Sequence, residues 1–494
     1  MSALPSLQTN ILLNSLVLQQ ELDKANNSRD RQIYPEIAPG PEPGTTALRL
    51  KVKDRLPLHA RVEFNNYSTP GTPELRFNTA LQYNNLWQLD HQLGVQYSFS
   101  PEEYKDQSAW PDFVDHPQVA NYSVFYRLPL NSFQGITERR DVSVGDFGYD
   151  EVTKRFRAPP MSGTPELVLY ASRSDTDTGS VLQSDTLTPE VVDPNAGGPQ
   201  LSSKVFSDTH TVNGDAGFRL ADPLPSFWAI GSSLSLGLDY KTFKSRLTQT
   251  KNNDFTFYTS DGMGNLTPHP FDPQPPAIQV VPSSVNYLPF AAGLDATRPD
   301  GWGITSFNFN NTFNFSSLFG NKKDFQKIAG STKATGNYYV ANLGMNREQR
   351  IHGDWGLRLS ADGQWANQPL ISNEQYGLGG AAGVRGYRDG QQYGDTGWRV
   401  IVEPHTELFD LGMVDGNKPM LVRFSIFTDY GRRYLLAPPT GTDQSLSLWG
   451  TGFAFTGTIG ERMDFRFTFG VPLLDVPGVT AGTPRITFLV GMQF

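Results

Sequence analysis

From Leu58 onward the chain alternates apolar and polar side chains with a period of two almost everywhere, and in places it does so over a length that few soluble strands reach. The clearest stretch sets Met463, Phe465, Phe467, Phe469 and Val471 on one face against Asp464, Arg466 and Thr468 on the other. Successive side chains of a strand point to opposite faces, so this pattern describes a ribbon with one oily and one wet side. Leu93/Val95/Tyr97/Phe99, Leu234/Leu236/Leu238/Tyr240, Phe307/Phe309/Phe313/Phe315 and Trp355/Leu357/Leu359 repeat it. Strands of soluble sandwiches average about 5 or 6 residues, whereas a tilted strand that crosses a bilayer needs about 9 to 11. Phe307 to Phe315 and Met463 to Val471 reach the second length. The reading is an all-β transmembrane barrel of about 16 antiparallel strands, an even number that closes without free edges.

Composition agrees. Charged residues are only 18% of the 494, aromatics are 12%, and there are 47 glycines, a mixture suited to many strands and turns. A mean hydropathy of -0.41 reads as soluble, but a barrel that alternates lipid-facing and lumen-facing residues averages out in any window. A membrane helix needs roughly 20 apolar residues in a row, and the best candidate, Ile11 to Leu18, is interrupted by Asn14 and Ser15. Met1 to Leu22 also lacks the basic start and unbroken apolar core of a signal peptide, so the chain reads as mature, trimmed or incomplete. With no cysteine, thiol chemistry and thiolate metal sites are excluded. A net charge of -9 argues against nucleic acid as a partner.

Two regions follow. Residues 1–55 read as a helix and two strands: Ile11, Ser15, Leu18 and Leu22 at helical spacing, a turn at Asn26-Asn27-Ser28, then Arg31 to Ile37, a Pro/Gly-rich link from Pro39 to Gly44, and the alternating Leu48 to Lys53. Some 50 residues make a thin core, which suggests missing elements upstream. Residues 56–494 read as the barrel. Short turns, as at Ser68 to Thr72 and Asn84-Asn85, are expected on one side, and long polar connections, around Gln183 to Thr209 and Leu247 to Pro276, on the other. The last strand, Arg485 to Phe494, places Ile486, Phe488, Val490, Met492 and Phe494 on one face.

One connection differs from the rest. Between strands near Asp354 to Trp365 and Thr396 to Thr406, Tyr376 to Gly390 holds six glycines in fifteen residues. Glycine admits positive φ and sharp reversals, so this loop either waves at the surface or folds back into the lumen. Two strands' worth of sequence later, Val422, Phe424 and Ile426 form an apolar face, which turns Arg423, Ser425, Phe427 and Asp429 inward. An inward carboxylate in a barrel calls for a cation, and Arg358, Arg399 and Arg466 are candidates as members of a lumenal charge mesh.

Within the glycine-rich loop, Val384-Arg385-Gly386-Tyr387 resembles the VRGY/VRGF signature of the superfamily that holds the two-partner secretion transporters and the central subunit of the barrel assembly machinery. Phe427-Thr428-Asp429-Tyr430-Gly431 resembles that superfamily's F-x-D-x-G strand motif. Arg31 to Thr46 is similar to the end of the last POTRA domain of two-partner transporters. Leu58 to Asn66, Asn84 to Trp87 and Tyr97 to Pro101 resemble the same branch, the one that includes the filamentous-haemagglutinin and haemolysin transporters.

The resemblance implies a protein exporter. Loop 367–395 would fold inward as a conformational lid, with Arg385 paired to Asp429 and flanked by Phe427 and Gly431. Residues 1–55 would be a partial α+β POTRA domain in the periplasm, and Phe494 the signal read by the insertion machinery. The implied partners are a secreted exoprotein, outer-membrane lipid and lipopolysaccharide, and the barrel assembly machinery during biogenesis, with the chain itself a monomer. No cofactor is implied. The chain departs from the family in lacking the first strand and helix of that POTRA, a second POTRA and an N-terminal plug helix.

Other constellations carry little. The seven histidines are scattered, and His91 and His405 read as lumen or loop residues rather than metal ligands. Asp175-Thr176-Asp177-Thr178-Gly179 lacks the later bidentate glutamate of a calcium loop. There is no phosphate-binding glycine loop and no G-x-S-x-G. An exporter is therefore expected, with a barrel-insertion factor of the same superfamily as the alternative, and a passive porin or barrel-linked enzyme further off.

Overall fold

The computed structural model describes residues 4, 6, 7, 12, 14–26, 30–42, 45–102, 117–130, 145–161, 163–271, 275–414, 418–438 and 441–494. Ile11, Asn27, Ser28, Pro43 and Gly44 of the expected helix and turns lie outside these residues.

At the N-terminus, helix α1 (Ser15–Ala25) precedes a hairpin of β1 (Arg31–Pro39) and β2 (Thr46–Asp54), in register with Ile33 opposite Val52. Leu18 and Leu22, four residues apart on one helix face, bury against Ile33 and Leu4. Asp30, at the start of the hairpin, accepts from His59 Nε2 at 2.9 Å and so ties this unit to the first wall strand.

The wall begins with β3 (Leu58–Asn65), β4 (Arg76–Leu86), β5 (His91–Phe99) and β6 (Val119–Pro129). An inner hairpin of β7 (Gly148–Asp150) and β8 (Arg155–Arg157) interrupts it before β9 (Glu166–Asp177). Next come β10 (Val181–Thr188), the long pair β11 (Gly198–Phe227) and β12 (Ile230–Ser260), β13 (Leu266–Pro270), β14 (Ala277–Tyr287), β15 (Phe290–Asp300) and β16 (Gly303–Phe313). Helix α2 (Lys322–Ala329) leads to β17 (Tyr339–His352) and β18 (Trp355–Ala366). The inward loop carries its own hairpin of β19 (Tyr376–Leu378) and β20 (Gln392–Gly394). The wall ends with β21 (Thr396–His405), β22 (Phe409–Val414), β23 (Lys418–Tyr434), β24 (Ser445–Ile459), β25 (Met463–Pro472) and β26 (Arg485–Gln493).

The main sheet joins twenty of these segments. β10 and β13 extend the sheet only beyond the rim, while β14 with β15 and β21 with β22 are each one wall strand in two pieces. The wall is thus a closed, antiparallel barrel of 16 strands, sealed where β26 pairs with β3 from Leu489↔Asn65 to Gln493↔Arg61. The faces follow the alternation. Val95, Leu234, Leu236, Phe307, Leu359, Phe424 and Ile426 are exposed on the outer surface, while Ser425, Phe427 and Asp429 are buried on the inner one.

Two expectations about the connections need correction. Gln183 to Thr209 and Leu247 to Pro276 are mostly strand: β10, β13 and the outer parts of β11 and β12 pair in continuous register above the rim. These stretches are rich in Ser, Thr and Asn, and the apolar alternation is brief, as at Phe255 and Phe257, so the period that marks the wall strands is weak in them. Second, the turn at Ser68 to Thr72 lies at the same end as the inward loop, since it joins β3 to β4. The tight turn at the N-terminal end is Trp87 to Asp90, with positive φ at Trp87, Gln88 and Asp90, and Asn84 and Asn85 belong to β4. The N-terminal end also carries one long connection, between β6 and β9, whose hairpin stands inside the lumen against β4, β6 and β9.

Candidate functional site: the inward loop and its carboxylates

The loop between β18 and β21 folds into the barrel rather than over its surface. Val384 and Tyr387 are fully buried, and with Tyr376, Leu378, Leu448 and Val476 they form an apolar cluster inside the wall. Glycine matters at two points. Gly386 has φ 95°, and a Cβ there would stand 2.9 Å from Pro472 N. Across the contact, a Cβ on Gly450 of β24 would fall 1.8 Å from the Arg385 carbonyl oxygen. Bare backbone on both sides lets the loop tip lie directly on the inner face of β24 and β25.

Arg385 is the tip's polar anchor. Its Nε donates to Asp429 Oδ2 at 2.7 Å, its Nη2 to Oδ1 at 2.8 Å, and its backbone N–H to Oδ2 at 3.0 Å. This is a bidentate fork with a third donor added, the geometry in which a guanidinium holds a carboxylate best. Nη1 donates to Glu403 of β21 at 2.8 Å, and Ser425 donates to the other Glu403 oxygen at 2.7 Å. The guanidinium carbon sits 3.5 Å from the Phe427 ring centroid, a cation–π contact that covers its remaining face. Asp429 is wholly buried. Burial by itself opposes a charge on Arg385, but Asp429 and then Glu403 outweigh it and raise its pKa. Gly431, two residues on, keeps open the space taken by the Leu378 side chain, 2.5 Å from where a Cβ would be. Tyr387 donates to the Leu474 carbonyl at 2.9 Å and accepts from Leu474 N–H at 3.2 Å.

Of the cations weighed for Asp429, Arg399 instead donates to Asp362 at 2.6 Å. Sequence reasoning missed Glu403, although strand parity puts it on the same face as Arg399 and so offered a signal. It also missed two acids of the loop. Glu374 is fully buried and accepts from Lys241 of β12 at 2.8 Å and from Tyr287 of β14 at 2.6 Å. Asp389 accepts from Ala381 N–H at 2.7 Å, and burial pushes its carboxyl up to about 7. Neither had any periodic neighbour to mark it.

His91 contacts the Tyr126 hydroxyl at 2.6 Å, and His405 meets Glu348 through Nε2 and the Thr406 carbonyl through Nδ1 at 2.9 Å. Asp175 meets His210 at 2.8 Å, and Asp177 accepts from Gly179 N–H at 2.9 Å. Among the described residues no cluster of three His, Asp or Glu could hold a metal ion.

The Arg385 loop thus joins the eleventh and twelfth wall strands and lies inside the barrel. Residues 279–457 match the model of the haemolysin secretion/activation protein family ShlB/FhaC/HecB. That match makes this part of the chain similar to the family. It includes the inward loop, Glu403 and Asp429. Among solved structures, CdiB from Escherichia coli is similar over the whole chain and 73% of its own length, with TM-score 0.61 and 19% identity. CdiB from Acinetobacter baumannii gives TM-score 0.52 at 14% identity over 70% of its length. BamA from Haemophilus ducreyi lacking POTRA domains 1–3 gives 0.51 at 12% identity over 81%. At such identities the likeness is one of fold. No curated protein sequence matches. The family match agrees with the expected likeness to two-partner secretion transporters.

Proposed function

We propose that this chain is an outer-membrane transporter that exports a partner exoprotein through its lumen, with loop 367–395 as a conformational lid. The observation that carries the reading is Arg385, buried between Asp429 and Glu403 on a loop that fills the pore it would have to leave. A charge-assisted pair of this kind contributes about 1.5 to 3 kcal/mol, enough to seat a loop and modest enough to let it go. No bond in the exported chain needs to be made or broken, so the function requires no catalytic group. The N-terminal helix and hairpin are the end of a POTRA domain on the periplasmic side, where the unfolded exoprotein is first bound. We assign Phe494 a part in insertion: its backbone pairs with Ala60 on the first wall strand, at the seam where the barrel closes. We take the chain to act as a monomer: among the described residues each wall strand is paired on both sides, so no open edge invites a second copy.

The test is export of a partner exoprotein by cells that carry this chain. Arg385→Ala is expected to reduce secretion while the barrel still inserts and folds; secretion at the normal rate would end the lid assignment. One feature favours the alternative reading, a barrel-insertion factor with a lateral gate: β26 and β3 share only five registered pairs, against ten between β24 and β25. Sealing that seam separates the two readings, as argued below.

A further inference from the structure

We propose that the hairpin from Phe147 to Arg157 is an internal plug, clasped to the inward loop within the lumen, so that plug and loop must let go of each other before the pore conducts. The inference rests on the reading of the barrel as a conduit and of loop 367–395 as its lid. The two insertions come from opposite ends of the barrel, the loop from the rim between β18 and β21 and the hairpin from the connection between β6 and β9.

The hairpin is fastened to the wall on one side. Phe147 is fully buried and meets Phe125 of β6 edge to face at 4.6 Å, and Phe156 stacks on Tyr170 of β9 at 4.4 Å. Glu151 accepts from Arg76 of β4 at 2.9 and 3.1 Å and from Asn121 of β6 at 2.9 Å. Nothing in these contacts depends on the loop.

On its other side the hairpin grips the loop at three places. Arg155 donates to Glu374, whose other oxygen is held by Lys241 and Tyr287. Lys154 donates to the Ser372 carbonyl at 2.9 Å and stands 4.0 Å over the Tyr393 ring. Val152 lies so close to Gly377 that a Cβ on the glycine would come 2.6 Å from its Cγ1. None of these groups touches Arg385 or Asp429, so the clasp is a second fastening, separate from the VRGY anchor. Burial opposes ionisation of Glu374, yet the charges of Arg155 and Lys241 prevail and hold its carboxyl at about 2. Burial lowers Lys154 to about 8. Between hairpin, loop and wall remains a cavity of about 460 Å³, bordered by Tyr149 and Glu151 of the hairpin, Arg61 and Arg76 of the wall, and Ala381 and Asp389 of the loop. That space would become the path once the clasp opens.

Replacing Glu374 by an uncharged isostere removes the carboxylate that ties Arg155 of the hairpin to the loop, which favours separation of hairpin and loop. The test uses the full chain in a planar lipid bilayer, with ion current as readout and heat-modifiable mobility as the folding control. Glu374→Gln is expected to raise the open fraction roughly tenfold, equivalent to about 1.4 kcal/mol. The chain has no native cysteine, so a Val152→Cys/Gly377→Cys pair can be bridged without competition. Oxidation of that pair is expected to hold the pore silent even in the Arg385→Ala background, and reduction to restore current. A folded Glu374→Gln barrel with unchanged current, or an oxidised pair that conducts like the reduced one, overturns the proposal. Should Glu374→Gln fail the folding control, the cysteine pair decides alone. If current responds as stated but no exoprotein is exported, the export reading fails and the plug stands. If export proceeds while current ignores both changes, the plug fails and export stands.

Discussion

Arg385 donates to Asp429 from its backbone N–H, Nε and Nη2, so losing that one carboxylate strands three donors in a buried site. Asp429→Asn keeps the shape but surrenders the charge, and is expected to weaken seating of the loop by about 1.5 to 3 kcal/mol. Because the two side chains act as a unit, a double variant with Arg385→Ala should lower secretion no further than either single change; additive losses would show that they act apart. Asp389 supplies a pH dependence. Burial raises its carboxyl first of all, Glu151 and Asp150 of the inner hairpin raise it further, and the Ala381 N–H and Arg485 pull it back, leaving it at about 7. The seated loop therefore holds a proton that a released loop gives up near pH 4. Seating is fully favoured below that value and is lost as the pH rises towards 7. Protease protection of the loop should be greater at pH 5 than at pH 8, and Asp389→Asn should flatten the difference; an unchanged pH profile in that variant would rule Asp389 out. Arg385 and Asp429 both stand out in the sequence, one by its motif and the other by strand parity as well. Glu374 and Asp389 do not, because their burial is created by packing between segments far apart in the chain.

At the scale of elements, strands that face lipid are legible and strands that do not are obscure. The aromatic face of β25 declares itself, since Phe465, Phe467 and Phe469 alternate with polar neighbours. The outer parts of β11 and β12 pair just as regularly, yet their backbone ladder needs no apolar face beyond the rim, so they read as loops. The inner hairpin is short and has one side on the wall and the other on the loop, which leaves no period to detect. The seam is the element on which the two functional readings divide. Val62 and Met492 are register partners across β3 and β26. A Val62→Cys/Met492→Cys pair, once oxidised, is expected to leave secretion largely intact, because cargo that travels through the lumen never parts those strands. Loss of secretion on oxidation, with recovery on reduction, would favour lateral opening instead.

The whole molecule is a wall of 16 strands, a loop that enters it from one end and a hairpin that meets the loop from the other. Alternation alone conveys the wall, since every strand must obey the same two-faced rule. What fills the wall follows no such rule and had to be seen. On the proposed reading an exoprotein passes through this lumen. Gln96 and Val95 are neighbours on β5 that face opposite ways, Gln96 onto the lumenal cavity and Val95 onto the outer surface. A photo-crosslinking residue placed at each in turn, during export of the partner, measures the path directly. Crosslinks to the exoprotein from position 96 and none from position 95 are the predicted result; crosslinks from position 95 with none from position 96 would contradict it.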